Sequence, residues 1–333
     1  MFVEEILKSN TNTVVEGTFL INDIKLKPFF EKEGNFLTFS IQDKTGLVWA
    51  KIWDNAELIA KQLKEIDANV VTIKGRSNIY NGKTQVIVDK IKKAENYQTS
   101  DLIATSTRNA EEMWLELSNL LDTSLSISPI KEIWSDFKSD QSFVNLFKLW
   151  PGGKGTVHHA YQHGLLEHTL SVLKILKSFQ NMYPGVDSDK ALIGGFLHDI
   201  GKLEAYTYDI KISMSNIGRL HEHTVLGYYM FRKRLDKLIS IGKIFDTDKL
   251  DEEIGHIILS HHGSKEQRAV VKPMTLEAKF VSFADLLDSE TNYMAQQIEH
   301  NSDEQGWIFD TLQNQFFFKR PSLARIRRKK IES

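Results

Sequence analysis

The chain contains no cysteine. Disulfides and thiolate metal sites are therefore excluded, and His, Asp, Glu and water remain as donors for any ion. No stretch approaches the roughly 20 apolar residues of a membrane span. The N-terminus, Met1-Phe2-Val3-Glu4-Glu5-Ile6, is acidic and lacks the apolar run of a signal peptide. A soluble cytoplasmic protein with no membrane partner is the expectation. Net charge is also nearly absent, at −2, which argues neither for nor against nucleic acid. What charge imbalance exists is local: Lys319, Arg320, Arg325, Arg327, Arg328, Lys329 and Lys330 crowd a basic tail over 319–333. It reads either as a solvated tail or as a polyanion-binding arm whose affinity depends on salt.

What is present suffices for two domains, each with its own core, since 41% of the 333 residues are hydrophobic. From Val14 to Ile91 the pattern has period two, broken by turn signals. Strands are predicted over Val14–Ile24, Asn35–Gln42, Leu47–Trp53, Asn69–Ile79 and Thr84–Ile91, with a helix over Asn55–Ile66. Asn81-Gly82 is a favourable hairpin turn. Three strands, a helix and two strands within residues 1–95 match an all-β OB-fold, a small Greek-key barrel. If Leu37, Phe39, Ile41, Val48, Ala50 and Ile52 face the barrel, Phe36, Trp49 and Trp53 point outward beside Lys51. Aromatics interleaved with a cation suit stacking on single-stranded nucleic acid. The same rings would equally pack under the helix or against a second domain, and an OB-fold also binds protein or sugar.

Residues 96–108 are polar and rich in Ser and Thr, as a linker would be. From 109 to 318 the period becomes helical, which predicts an all-α domain. Pro151-Gly152-Gly153-Lys154-Gly155 lacks the spacing of a phosphate loop and reads as a plain loop. Histidines and aspartates then appear on apolar helix faces: His168 beside Val172 and Ile175, the doublet His198-Asp199 ahead of Gly201, His223, the pair His261-His262 before Gly263, and Asp285 among Phe283, Leu286 and Leu287. A carboxylate on such a face is costly unless paired or metal-bound. One is unremarkable, but several on consecutive helices in a cysteine-free chain point to a shared ion site. Lys202, four residues after His198, would meet a phosphate or stabilise a helix end. Gly227, one turn after His223, permits close helix approach.

The order His168…His198-Asp199…Asp285 resembles the HD superfamily of metal-dependent phosphohydrolases. With an OB-fold upstream, and with His158-His159-Ala160-Tyr161, Gly164–Thr169, Phe196–Lys202 and Leu259–Gly263, the chain resembles the YhaM-type 3′→5′ exoribonucleases over nearly its whole length. It departs from that pattern at His163, where a glycine is expected, and over Ser264–Val271, which lacks a Gly-Ser-Pro run. The resemblance implies that His168, His198, Asp199 and Asp285 bind a first metal. His223, His261 and His262 would complete it or hold a second, with Asp199 as a bridge. It implies one or two divalent ions, Mn²⁺, Fe²⁺ or Mg²⁺. Asp199, Lys202, His158 and His159 are the candidate catalytic residues. The two histidines either contact the reacting phosphate or are structural. The implied activity is 3′→5′ hydrolysis of single-stranded RNA to nucleoside 5′-monophosphates, with action on DNA and assembly into homo-oligomers left open. A phosphohydrolase of free nucleotides or cyclic dinucleotides, and a non-catalytic nucleic-acid-binding protein, are the alternatives.

Overall fold

Alternating apolar residues in the N-terminal region are buried together when the strands curl round a common interior. The computed structural model has this form, and it describes all residues except 31–32, 66–68, 81, 155–158, 210, 246–248, 265–268, 301–305, 311 and 320–333. A short helix α1 (Val3–Leu7) precedes β1 (Val14–Pro28), β2 (Asn35–Asp43), β3 (Gly46–Ile52), α2 (Ala56–Glu65), β4 (Val70–Tyr80) and β5 (Lys83–Lys93). The five strands close into a barrel in the order β1-β2-β3-β5-β4. β3 and β5 pair in parallel through Trp49↔Gln85 and Lys51↔Ile87, while the other neighbours are antiparallel. Phe19, Leu37, Phe39, Ile41, Val48, Ala50 and Val86 fill the interior.

β1 runs on to Pro28, beyond the predicted end at Ile24. A register shift between Asn22 and Lys25 lets Lys25–Pro28 pair with Asn35–Thr38. This extension is exposed on both faces, so it carries no alternation for the sequence to display. The Asn81 of the predicted hairpin turn lies outside the described residues, whereas Gly82 has a φ of +73°. The stretch read as a linker contains a helical turn, α3 (Thr99–Leu102). Leu102 and Ile103 pack on Leu20, Val70 and Ala94, two apolar anchors within an otherwise polar run.

Residues Met1–Thr105, with Tyr208–Ile212, make one compact unit; Ser106–Thr207 and the described residues from Ser213 onward make the other. The second unit contains α4 (Ala110–Ser124), α5 (Ser128–Ser139), α6 (Gln141–Leu149), α7 (Gly164–Phe179), α8 (Ser188–Leu197) and α9 (Lys202–Ala205). After the short strands β6 (Tyr206–Tyr208) and β7 (Ile212–Met214) come α10 (Asn216–Ser240), α11 (Leu250–Ser260) and α12 (Leu276–His300). A closing hairpin, β8 (Trp307–Asp310) and β9 (Gln315–Phe318), adds strands to a region whose period is helical. Side chains of Asn109, Asp140 and Asp187 accept amide hydrogen bonds at the starts of α4, α6 and α8, satisfying donors that a helix leaves free. One core joins these helices, with Leu166, Leu170, Leu173, Ile193, Phe196, Leu197, Ile257, Ile258 and Val281 fully or nearly fully buried. Among the described residues no helix is long and apolar enough to cross a membrane.

Candidate metal centre

Each side chain of the centre is delivered from a different point of this core. His168 stands one turn into α7, and His198 caps the C-terminus of α8 with Asp199 next to it. α10 breaks at Glu222, where φ is 60° and ψ is 155°, so His223 begins the second half of that helix. His261 caps α11 and His262 follows it, while Asp285 lies on the inner face of α12. His168, His198, Asp199, His261, His223 and Asp285 are all buried.

Asp199 divides the donors into two sets. Its Oδ2 lies 3.4 Å from His168 Nε2 and 3.3 Å from His198 Nε2. His168 Nε2 is 3.1 Å from His198 Nε2 and 3.2 Å from Asp285 Oδ1, and His198 Nε2 is 4.0 Å from that same oxygen. Donors about 2.1 Å from an octahedral ion stand about 3 Å apart when adjacent and about 4.2 Å when opposite; these five distances, 3.1–4.0 Å, fall close to that range. The other oxygen, Asp199 Oδ1, faces His223 Nε2 at 3.4 Å and His261 Nε2 at 3.7 Å. His262 Nε2 is 2.9 Å from His223 Nε2. Asp199 Oδ1 and His261 Nε2 are buried without a hydrogen-bond partner, which is costly unless something else engages them. A divalent ion fits this requirement and this donor set.

The ring tautomers agree with that use. His198 Nδ1 donates to the Gly195 carbonyl at 2.7 Å, and His261 Nδ1 donates to the Ile258 carbonyl at 2.8 Å. In both rings Nε2 is left with its lone pair toward the centre. His168 Nδ1 is held by a carboxylate instead, Asp288 Oδ2 at 2.7 Å. Asp288 lies three residues after Asp285 on α12 and was not singled out by the sequence. It also accepts from His159 Nε2 at 2.9 Å. An outer carboxylate of this kind orients a ligand ring and raises its basicity. Asp288→Asn is therefore expected to weaken Mn²⁺ binding by about 10–100-fold in calorimetric titration, with the helical fold retained.

Protonation follows from the crowding of charge. Burial opposes a charge on His168, yet Asp199, Asp285 and Asp288 together hold its pKa well above the ordinary imidazole value. The same concentration of carboxylates attracts a cation, whose binding would release that proton. Burial alone would raise the Asp199 carboxyl, but Lys202 and the neighbouring histidines hold it well below the usual range. Asp285 and Asp288 are likewise held low by imidazoles against their burial. On the other side, burial pushes His223 down to about 3, and burial with nearby His262 and His198 pushes His261 well below its ordinary value. Neutral rings and ionised carboxylates are the forms that ligate metal.

The remaining candidates take other places. Lys202 is buried, donating to Asp199 Oδ2 at 2.6 Å and to the Gly152 carbonyl at 2.5 Å. Trp150 Nε1 secures the Lys202 carbonyl at 2.8 Å. The loop read as plain thus supplies a backbone oxygen to the centre. His159 is buried, with Nδ1 2.9 Å from the Tyr161 hydroxyl and Nε2 on Asp288. His158 lies outside the described residues, as do 265–268 of the Ser264–Val271 stretch and the tail beyond Lys319. His163 has a φ of +69°, a conformation glycine adopts without strain. Its Nδ1 donates to the Lys148 carbonyl at 2.6 Å.

On the barrel, Phe36 and Trp53 lie 5.0 Å apart between ring centroids, and Phe29 stacks on Trp53 at 6.0 Å. Lys51 Nζ sits 5.8 Å from the Phe36 ring, 5.4 Å from Trp53 and 5.1 Å from Tyr80. Trp49 is exposed two residues before Lys51 on the same face of β3. Phe29 and Tyr80 join a face that the sequence outlined only through β2 and β3.

Residues 165–290 match the HD domain family, a span that holds all seven candidate ligands and Asp288. The chain is 27% identical over 297 residues to the 3′-5′ exoribonuclease YhaM of Bacillus subtilis, covering 85% of this chain and 88% of that one. It is 28% identical over 276 residues to the 3′-5′ exoribonuclease YhaM of Bacillus licheniformis, covering 79% and 81%. A solved murine DNA-binding protein bound to double-stranded DNA aligns over 28% of this chain and 48% of its own at 16% identity, with a TM-score of 0.22, too low to carry an argument. The chain is thus similar to the YhaM-type proteins over about 80% of its length, with an N-terminal five-stranded barrel followed by a helical region that carries an HD domain.

Proposed function

We propose that this protein is a metal-dependent 3′→5′ exoribonuclease that hydrolyses single-stranded RNA, and single-stranded DNA as well, to nucleoside 5′-monophosphates. The observation that carries the reading is Asp199: its two oxygens face two separate donor sets, and one of them is buried and unpartnered. Such a carboxylate suits a bridge between two ions, with Mn²⁺ the preferred occupant and Fe²⁺ or Mg²⁺ as substitutes. When bound, divalent ions supply Lewis acidity at phosphoryl oxygens and lower the pKa of water for attack on phosphorus. Polarity and the preference for RNA rest on the likeness to the two Bacillus relatives.

The chain's own residues hold this centre in place. Asp288 fixes the His168 ring through Nδ1, and Gly195 and Ile258 carbonyls fix His198 and His261. Lys202, anchored by Gly152, offsets the charge of Asp199 and sets the direction of its carboxylate. The barrel, residues 1–95, would grip the strand, and the helical domain, 109–318, would cut it. The cluster of Phe36, Trp53 and Lys51 supports a polymer over a free nucleotide as substrate. Trp53→Ala is expected to weaken binding of a single-stranded RNA about five- to hundredfold, read by fluorescence anisotropy, because each stacked base contributes about 1–3 kcal/mol.

The test is incubation of 5′-labelled single-stranded RNA and DNA with the protein and Mn²⁺. Progressive shortening of the labelled strand, with nucleoside 5′-monophosphates as the released product, is expected. Release of a labelled mononucleotide as the first product would reverse the polarity, and intact strands under Mn²⁺, Fe²⁺ and Mg²⁺ alike would overturn the reading.

A further inference from the structure

α12 is apolar on two faces. Its inner face, with Val281 and Ala284 buried, packs on α7, α8 and α11. On the opposite face Leu276, Phe283, Leu287 and Met294 are 38–59% exposed. Steps of seven, four and seven residues put these four on one line at about 3.6 residues per turn, a stripe roughly 27 Å long. Single exposed apolar side chains are ordinary on a protein surface. A helix that is apolar on both sides belongs between two packed layers, and this chain supplies only one of them.

The stripe is symmetric about the height of Asp285. Leu276 and Met294 are each nine residues from it, and Phe283 and Leu287 are each two. A twofold axis passing the outer face at that height lays a second copy of α12 antiparallel on the first. Leu276 then meets Met294, and Phe283 meets Leu287, across the axis. The charges on the stripe have the same symmetry. Lys279 and Glu290 are both exposed and eleven residues apart, about three turns, so they share one flank. They stand six residues before the midpoint and five after it, which sets the Lys279 of each copy against the Glu290 of the other. Lys279 Nζ lies 4.6 Å from the centroid of the Phe283 ring, at the edge of the stripe rather than away from it. A parallel pair would instead set lysine on lysine and glutamate on glutamate. A contact between identical copies about a twofold axis must be self-complementary in this way, whereas a partner of different sequence imposes no such symmetry.

We propose that the chain forms a twofold-symmetric dimer through the outer face of α12, packed antiparallel on its counterpart. The inner face of the same helix presents Asp285 and Asp288, so the contact braces the element that carries them. The test is sedimentation velocity with light scattering on the full chain, which requires neither RNA nor metal. In the micromolar range the wild type is expected to have the mass of two chains. Phe283→Glu with Leu287→Glu is expected to weaken association about a hundredfold or more, with the helical circular dichroism signal retained. Lys279→Glu and Glu290→Lys are each expected to weaken it about five- to thirtyfold, since each places two like-charge pairs across the axis. Both charge reversals in one chain should restore it, and this arm decides the matter if the glutamate pair on the stripe prevents folding. A wild type that stays monomeric through the micromolar range overturns the proposal. So does a dimer that none of these substitutions weakens, which would place association on another face, and so does a double reversal that fails to restore pairing.

Discussion

Asp199→Asn is expected to lower mononucleotide release by about a thousandfold or more, since a single preorganised electrostatic contact in a hydrolytic site is itself worth about 10²–10³. The change keeps the shape of the side chain and removes the charge that both donor sets face. It also leaves Lys202 buried without its counter-charge, and breaking a buried pair in this way costs about 3–5 kcal/mol. Lost activity could then reflect unfolding rather than chemistry. Adding Lys202→Met separates the two. The double variant no longer buries a lone cation, so its melting temperature should return toward the wild-type value. Its hydrolysis of RNA should stay at background, and its Mn²⁺ content by elemental analysis should fall with that of the single variant. If a folded Asp199→Asn protein keeps more than about a tenth of the wild-type rate, Asp199 is not the centre of the site.

The parts of this molecule that were legible in the sequence are those in which burial is written as a period. Val48, Ala50 and Ile52 alternate with Leu47, Trp49 and Lys51, and β3 can be read directly from them. The end of β1 could not be, because Lys25–Pro28 pairs at the barrel edge with neither face buried. Thr38 and Ser40 are buried on the side of β2 read as outward, so alternation overstated how open that face is. At the candidate metal centre, the residues that the structure brings together were legible because an ionisable side chain on an apolar helix face is costly. Asp288 sits between Leu287 and Ser289 in a mixed stretch, and only the fold shows it beneath two imidazoles. The Gly152 carbonyl had no signal at all, since a backbone oxygen is the same in every residue. For His159 the residue type left a phosphate contact and a structural role equally open, and only the fold shows its two ring nitrogens against Asp288 and Tyr161.

Gly201→Ala is expected to be the most damaging small change in the helical region. The backbone there is ordinary and helical, with φ −65° and ψ −13°, so the demand for glycine is one of space. A Cβ at Gly201 would overlap the His223 carbonyl oxygen and the Gly227 amide. Both are backbone atoms of α10, and neither can move without the helix. The contact lies two residues after Asp199 and one turn after His223, so it fixes how closely the doublet approaches that imidazole, at 3.4 Å between Asp199 Oδ1 and His223 Nε2. Overpacking of this kind costs about 3 kcal/mol, which in a domain of this size lowers the melting temperature by roughly 6–12 °C. Separation of α10 should also weaken Mn²⁺ binding at the His223, His261 and His262 side more than at the His168, His198 and Asp285 side, lowering the Mn²⁺ stoichiometry below that of the wild type. Gly227→Ala provides the graded comparison. Its added carbon would stand 3.1 Å from the Gly201 amide, a contact relieved by a few tenths of an ångström. Gly201→Ala should therefore melt well below Gly227→Ala. Equal melting temperatures and equal Mn²⁺ stoichiometry for the two variants would mean that this glycine contact does not set the spacing of the centre.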